Sequence, residues 1–189
     1  MTYITNRDCN SRLRGTAPCS SDRWTMIRTG IALGSNLGDR LENLRRAREL
    51  LASISTGPVL VAPVYLTEPV NCPPGSPDFL NTVVEISHGF TPAQLLEKTQ
   101  EFQRRLGRTE VMERNAPRVI DIDLLYCGGE IISTELLELP HPRIAIRQFV
   151  LRPLADINPD LVLPGHTSTV AEHLDKLGEP ALSVAAQEW

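Results

Sequence analysis

Apolar positions first become regular at about residue 28. Arg28 to Leu33 reads as a short strand, and Gly34-Ser35-Asn36-Leu37-Gly38 ends it as a turn. Asp39 with Glu42 three residues on has the capping-box spacing, and Leu41, Leu44, Arg48 and Leu51 then recur on one stripe. A helix is therefore predicted over 39–54, packed on a sheet, with the Arg48 stem snorkelling along it. Gly57-Pro58 breaks the chain, and Val59, Val61, Val64 and Leu66 follow in an extended pattern that stops at Glu68-Pro69. Residues 71–78 carry too much Pro and Gly for a helix or a central strand and form a crossing loop.

Phe79 to Ser87 is rich in β-branched residues and predicts another strand. Thr91 with Gln94 forms a second capping box, opening a helix from Pro92 to Leu106 that stops at Gly107. Residues 108–117 are a charged loop, and Val119 to Tyr126 is the strongest strand pattern in the chain. Gly128-Gly129 turns it toward a short strand near Ile131. Helices are predicted over 147–155, returning Phe149, Val150, Leu151 and Leu154 to the core, and over 168–177. This order, βαββαβ, is the ferredoxin-like pattern: an α+β fold with an antiparallel sheet, helices packed on one face, and extra C-terminal helices.

Residues 1–27 show no apolar period and are expected to be a disordered extension, with Met26 as a candidate start; residues 28–189 form a single domain. That division suits a chain of 189 residues, and 41% hydrophobic with 22% charged residues is ordinary globular composition. No apolar run is long enough to span a bilayer and no secretory signal precedes the first strand, so no membrane association and a cytoplasmic location are expected. Cys9, Cys19, Cys72 and Cys127 are scattered without a C-x-x-C pair and read as free thiols.

A net charge of −4 supplies no global field for nucleic acid. The positive charge is concentrated instead. Residues 104–118 hold five arginines against two glutamates, and residues 141–152 hold His141, Arg143, Arg147 and Arg152 with no acid. Between these clusters, Asp121 and Asp123 lie two apart on a strand, so their carboxylates share a face with Cα atoms about 6.6 to 6.8 Å apart. A lone D-x-D is commonly solvated or paired with nearby arginines. Flanked by two basic clusters it suits phosphoryl transfer, where Mg²⁺ is held by one or two carboxylates plus phosphate oxygens and arginines stabilise developing charge. Gly34-Ser35-Asn36-Leu37-Gly38 matches neither G-x-G-x-x-G nor a Walker A loop and is not a phosphate cradle.

Five blocks in order, Gly34-Ser35-Asn36, Asp78-Phe79-Leu80-Asn81, Leu106-Gly107-Arg108, Pro117-Arg118-Val119-Ile120-Asp121-Ile122-Asp123-Leu124 and Leu139-Pro140-His141-Pro142-Arg143, resemble the signature blocks of the hydroxymethyldihydropterin pyrophosphokinases. The resemblance runs from about residue 29 to 165. It implies attack of the pterin hydroxymethyl oxygen on the β-phosphorus of ATP, with AMP leaving, in folate biosynthesis. It further implies that Asp121 and Asp123 hold two Mg²⁺ ions bridging the triphosphate. Arg108 and Arg118 match family arginines on loops that close over the phosphates. Gln100, His141 and Arg147 match positions at the nucleotide. Asn81 matches the pterin-binding asparagine, Phe79 and Phe149 the two aromatics that sandwich the ring, and Thr67 and Val70 positions that approach it through the backbone. Stacking on two faces with an amide at the polar edge is sound chemistry for a flat heterocycle. The family is commonly monomeric, and its partners are small molecules.

Four positions depart from the family pattern: Gln103 for a frequent glutamate, Glu110 for an arginine, Val111 for a basic residue and Asn115 for a tryptophan. They make the closing loop less basic and less aromatic and keep open a non-catalytic pterin- or nucleotide-binding relative. A ferredoxin-like RNA-binding module is the alternative from another class. Aromatics at 5% and a solvent-facing acid pair weigh against it.

Overall fold

The computed structural model describes residues 26–108, 116–178 and 181–189. The expected disordered extension lies outside the described residues as far as position 25, and Ile27 is already the first residue of a strand. In chain order the elements are β1 (Ile27–Ser35), α1 (Arg40–Ile54), β2 (Leu60–Val61), β3 (Val64–Thr67), β4 (Phe79–His88) and α2 (Pro92–Arg105). There follow β5 (Asp121–Cys127), β6 (Ile132–Ser133), β7 (Glu138–Leu139), a 3-10 turn at Ile144–Ile146, α3 (Gln148–Ile157), α4 (Val170–Leu177) and β8 (Ser183–Ala186).

The architecture is α+β. An antiparallel sheet runs in the order β5-β1-β4-β3-β8, with β2 also paired to β4, so the long strands β1 and β4 lie at its centre. The helix starts follow the sequence. Asp39 accepts a hydrogen bond from the Glu42 amide, and both bonds of the Thr91–Gln94 capping box are present. Leu44, Ala47 and Leu51 of α1 and Leu95 and Phe102 of α2 are buried against Ile31, Leu33, Val84 and Ile86 on one face of the sheet.

Four expectations need correction. The helices do not share one face: Val150, Leu151 and Leu154 of α3 and Val170 of α4 form a second core with Val83, Leu125 and Tyr126, giving three layers. The extended pattern over 59–66 is broken at Ala62-Pro63 into β2 and β3, because a proline cannot donate to the ladder, and Leu66 consequently faces outward. The strand near Ile131 begins at Ile132 and pairs with β7 in a separate two-stranded sheet. The strand β8 at the far edge carries no sequence pattern that announced it.

The strand β5 also holds an irregularity with a consequence. Its register against β1 slips between Gly30 and Ile31, so Leu125 is an extra residue. The bulge changes the alternation: Ile122, Leu124 and Cys127 face α1 and α2, whereas Leu125 and Tyr126 both face α3.

Candidate functional site

A cavity of about 240 Å³ opens where the sheet meets the start of α3. Small residues create it. Gly30, Ala32 and Gly34 alternate on the same face of β1, the central strand. The Tyr126 ring fills the space over Gly30, where an added Cβ would collide with it. Nothing so large covers Ala32 and Gly34, and they form the floor. The strand register sets the walls: Asn81 and Asp121 flank Gly34 from the two neighbouring strands, and Asp123 lies beside Ala32. A Cβ at Gly34 would sit 2.7 Å from the Asn81 Oδ1. This row of Asn81, Gly34 and Asp121 across β4, β1 and β5 is what carries two kinds of chemistry to one place.

The wall on the β5 side is charged. Asp121 and Asp123 point to the same face and into the cavity. The Arg108 Nη1 donates to the Asp121 Oδ1 at 2.5 Å, and the Arg118 Nε lies 3.4 Å from the Asp121 Oδ2. That Nε is buried and, among the described residues, lacks hydrogen-bond geometry to any partner. Asp123 is half-buried and lines the cavity. Burial first, and then the Asp121 charge, push its carboxyl up to about 6, against partial relief from Arg147, Arg108 and Arg118. A half-buried carboxyl beside a second carboxylate suits a divalent cation, which would relieve both effects at once. Above them His141 and Arg147 line the cavity; burial first, and the cations Arg147 and Arg143 next, lower the His141 imidazole to about 4, so it is neutral near pH 7.

The opposite wall is apolar and amide-bearing. Phe79 and Phe149 approach the cavity from β4 and α3, each capped by a cation: the Arg118 guanidinium carbon lies 5.7 Å from the Phe79 ring centre and that of Arg147 5.3 Å from Phe149. Asn81 Nδ2 donates to Thr67 Oγ1 at 2.7 Å, and Val70 lines the mouth. The cavity thus gathers Thr67, Val70, Phe79, Asn81, Arg108, Arg118, Asp121, Asp123, His141, Arg147 and Phe149. Gln100 stands apart, exposed on α2 and outside the lining.

The glycine-serine-asparagine turn is a buried hub for the segments around the site. The Ser35 Oγ donates to the Val119 carbonyl at 2.5 Å. Asn36, 2% exposed, exchanges two backbone-directed bonds with Arg118 and donates its Nδ2 to the Pro77 carbonyl at 3.2 Å. One side chain therefore ties the 71–78 loop to the approach of Arg118. On the other side the Gln103 Oε1 accepts from both the Ile122 amide and Arg108, fixing β5 between its two aspartates. Sequence reasoning noted Gln103 only as a departure, named Arg143 only within a basic cluster, and gave no site role to Ala32, Glu68 or Cys72, which with Arg143 also line the cavity. The spacing of small residues at 30, 32 and 34 was the available signal for the floor. Glu110, Val111 and Asn115 lie outside the described residues.

Paired carboxylates under arginines, facing an aromatic slot with an amide, are the equipment for a polyphosphate and a flat polar ring on one sheet. The family comparison agrees: residues 30–159 match the model of the 7,8-dihydro-6-hydroxymethylpterin-pyrophosphokinases, and the chain belongs to this family. It is similar to the 2-amino-4-hydroxy-6-hydroxymethyldihydropteridine pyrophosphokinase of Bacillus subtilis, 46% identical over 128 residues, covering 67% of this chain and 75% of that one. The Haemophilus influenzae protein of the same name is 38% identical over 140 residues, covering 74% and 86%. The folic acid synthesis protein fol1 of Pneumocystis carinii is 36% identical over 147 residues, but the chain spans only 20% of that protein and 20% of its Schizosaccharomyces pombe counterpart. Among solved structures, Plasmodium falciparum HPPK-DHPS in a triple-mutant form with pteroate superposes with a TM-score of 0.61 at 14% identity, covering 82% of this chain and 44% of that one. The wild-type form with SDX-DHP gives 0.63 at 12% identity, covering 80% and 44%. At these identities the likeness concerns the fold.

Proposed function

We propose that this chain transfers the diphosphoryl group of MgATP to the hydroxymethyl oxygen of 6-hydroxymethyl-7,8-dihydropterin, releasing AMP, as a step of folate biosynthesis. The observation that carries the reading is the row Asn81–Gly34–Asp121 across three strands. It sets an amide suited to the edge of a heterocycle next to a carboxylate pair, with Arg108 and Arg118 at Asp121 and Arg118 and Arg147 over the two aromatic rings. In this reading Asp121 and Asp123 would hold two Mg²⁺ ions, which would supply charge neutralisation for the triphosphate. Arg108 releases Asp121 and, with Arg118, turns to the phosphates, where preorganised cations are worth most as charge builds in the transition state. Arg147 and the neutral His141 contact the nucleotide, as Gln100 would do from α2 if the nucleotide extends beyond the cavity.

The pterin enters between Phe79 and Phe149. It displaces the guanidinium groups that cover them, which frees Arg118 and Arg147 for phosphate contacts as the ring takes their stacking places. Asn81 presents donor and acceptor to the ring edge, and the backbone near Thr67 and Val70 closes the slot. At about 240 Å³ the cavity falls below the about 300–1,000 Å³ usual for small-molecule sites, so the adenosine end lies outside it. The order β5-β1-β4-β3 supports reading the central sheet as ferredoxin-like. We further infer a cytoplasmic monomer acting on small molecules, without nucleic acid; among the described residues no helix is long and apolar enough to cross a membrane.

Incubation with MgATP and the hydroxymethyl dihydropterin tests the assignment: AMP accumulates in step with the pterin diphosphate. Formation of ADP, or of neither nucleotide, would refute it; substrate binding without turnover would identify the non-catalytic relative instead.

A further inference from the structure

The strand that brings Thr67 to the cavity is poorly held by its own neighbourhood. β3 has four residues and pairs with β4 only over Tyr65–Thr67, and Pro63 separates it from β2. Without another strand beside it, it would be a short open edge directly preceding the 68–78 crossing. Its outer side is instead closed by β8, with Val64, Tyr65 and Leu66 opposite Ala186, Val184 and Ser183. Beyond β8 the chain turns inward, and Trp189, 9% exposed, donates its indole Nε1 to the Ala62 carbonyl at 2.9 Å. That carbonyl sits at the break before Pro63 and also accepts from Thr82 Oγ1. The Arg48 guanidinium of α1 covers the same indole at 4.9 Å. Both β8 and Trp189 lie past residue 159, where the family match ends.

We propose that the segment Ser183–Trp189 is a positioning element for the pterin side of the site, holding β3 in register so that Thr67 meets Asn81. The inference rests on the proposed pterin-binding role of that wall. Its physical basis is hydrogen bonding: β8 satisfies the backbone groups on the free side of β3, and Trp189 pins the strand at its break. On the opposite side Tyr65 donates to Asp156 of α3 at 2.5 Å, so β3 is anchored on its sheet face as well, and the segment covers its remaining edge.

The test uses Trp189→Ala and Trp189→Phe in the full chain, assayed well below the melting temperature. The expected result for Trp189→Ala is a KM for the pterin raised about three- to tenfold, the effect of loosening one or two hydrogen bonds, with kcat and the KM for ATP unchanged. Trp189→Phe, which keeps the ring over Arg48 but loses the donor, should fall between. Amide exchange at residues 64–67 should quicken in the same order. Quickened exchange with an unchanged pterin KM overturns the proposal, as does a parallel loss in kcat and ATP KM, which would mean general destabilisation. If the unsubstituted chain releases no AMP, the functional assignment fails separately; the positioning claim is then read from binding of 6-hydroxymethylpterin, with equal affinity in all three proteins counting against it.

Discussion

At the scale of single residues, the site depends on a carboxylate pair and on a missing side chain. Asp121→Asn should lower AMP formation at least about a hundredfold while circular dichroism and melting stay near those of the parent, because the side chain is partly open to the cavity and the amide keeps its shape. Retained activity in that variant would mean that the carboxylate does no work in the reaction. Gly34 is equally exposed to test. A methyl group there would meet the Asn81 Oδ1 at 2.7 Å, so Gly34→Ala should displace Asn81 and cut kcat/KM for the pterin about ten- to a hundredfold. Steady-state kinetics with each substrate varied in turn checks this, and an effect confined to ATP would contradict the geometry. The paired aspartates were legible in the sequence because strand alternation fixes their common face. The floor was not, since a glycine in a strand becomes informative only when its neighbours on adjacent strands are known.

At the scale of elements, buried polar residues join segments that the sequence presents as separate. Asn36 links β1, the 71–78 loop and the approach to β5, and its replacement by alanine leaves the Arg118 amide and the Pro77 carbonyl without that partner. Asn36→Ala should cost about 1–3 kcal/mol in chemical denaturation and weaken both substrates together, since both flanking segments lose their tie. His88 does a similar job where β4 leads into α2. It is fully buried, hydrogen-bonds Thr29 Oγ1 at 2.8 Å and accepts from the Phe90 amide at 3.1 Å, which requires an unprotonated Nδ1. Burial lowers its affinity for a proton below the ordinary 6.5. The unfolded chain therefore takes up a proton at this position before the folded chain does, and stability is full above pH 6.5 and falls as the pH drops below it. Melting temperatures from pH 7.5 down to 5 should decline more steeply in the parent than in His88→Gln; identical slopes would remove His88 from the account.

The whole molecule holds the site by placing a second helical layer on the sheet face opposite α1 and α2. Phe149 and Arg147 reach the cavity only because Val150, Leu151 and Leu154 anchor α3 against Val83, Leu125 and Tyr126. Leu154→Ala removes fully buried volume and should cost about 2–5 kcal/mol, with the KM for the pterin rising as Phe149 loses its seat. Calorimetry and kinetics on the same preparation check both parts. Glu85 reinforces this layer from the sheet, bonded to Tyr126, Arg28 and Asn158, so β4, β5, β1 and the end of α3 meet at one buried carboxylate.

The amino-acid sequence by itself determined the local elements: capping residues start α1 and α2, a β-branched run makes β4, and period-two spacing along β5 aims Asp121 and Asp123 together. These follow from contacts within a few residues, which a linear pattern records. Only the tertiary structure decided which face each helix covers, that Pro63 splits one extended run into β2 and β3, that a bulge at Leu125 turns two successive side chains the same way, and that Ser183–Ala186 closes the sheet. Each of these depends on partners tens of residues distant, whose hydrogen bonds and apolar surfaces exist for the strand only after the chain has folded back on itself.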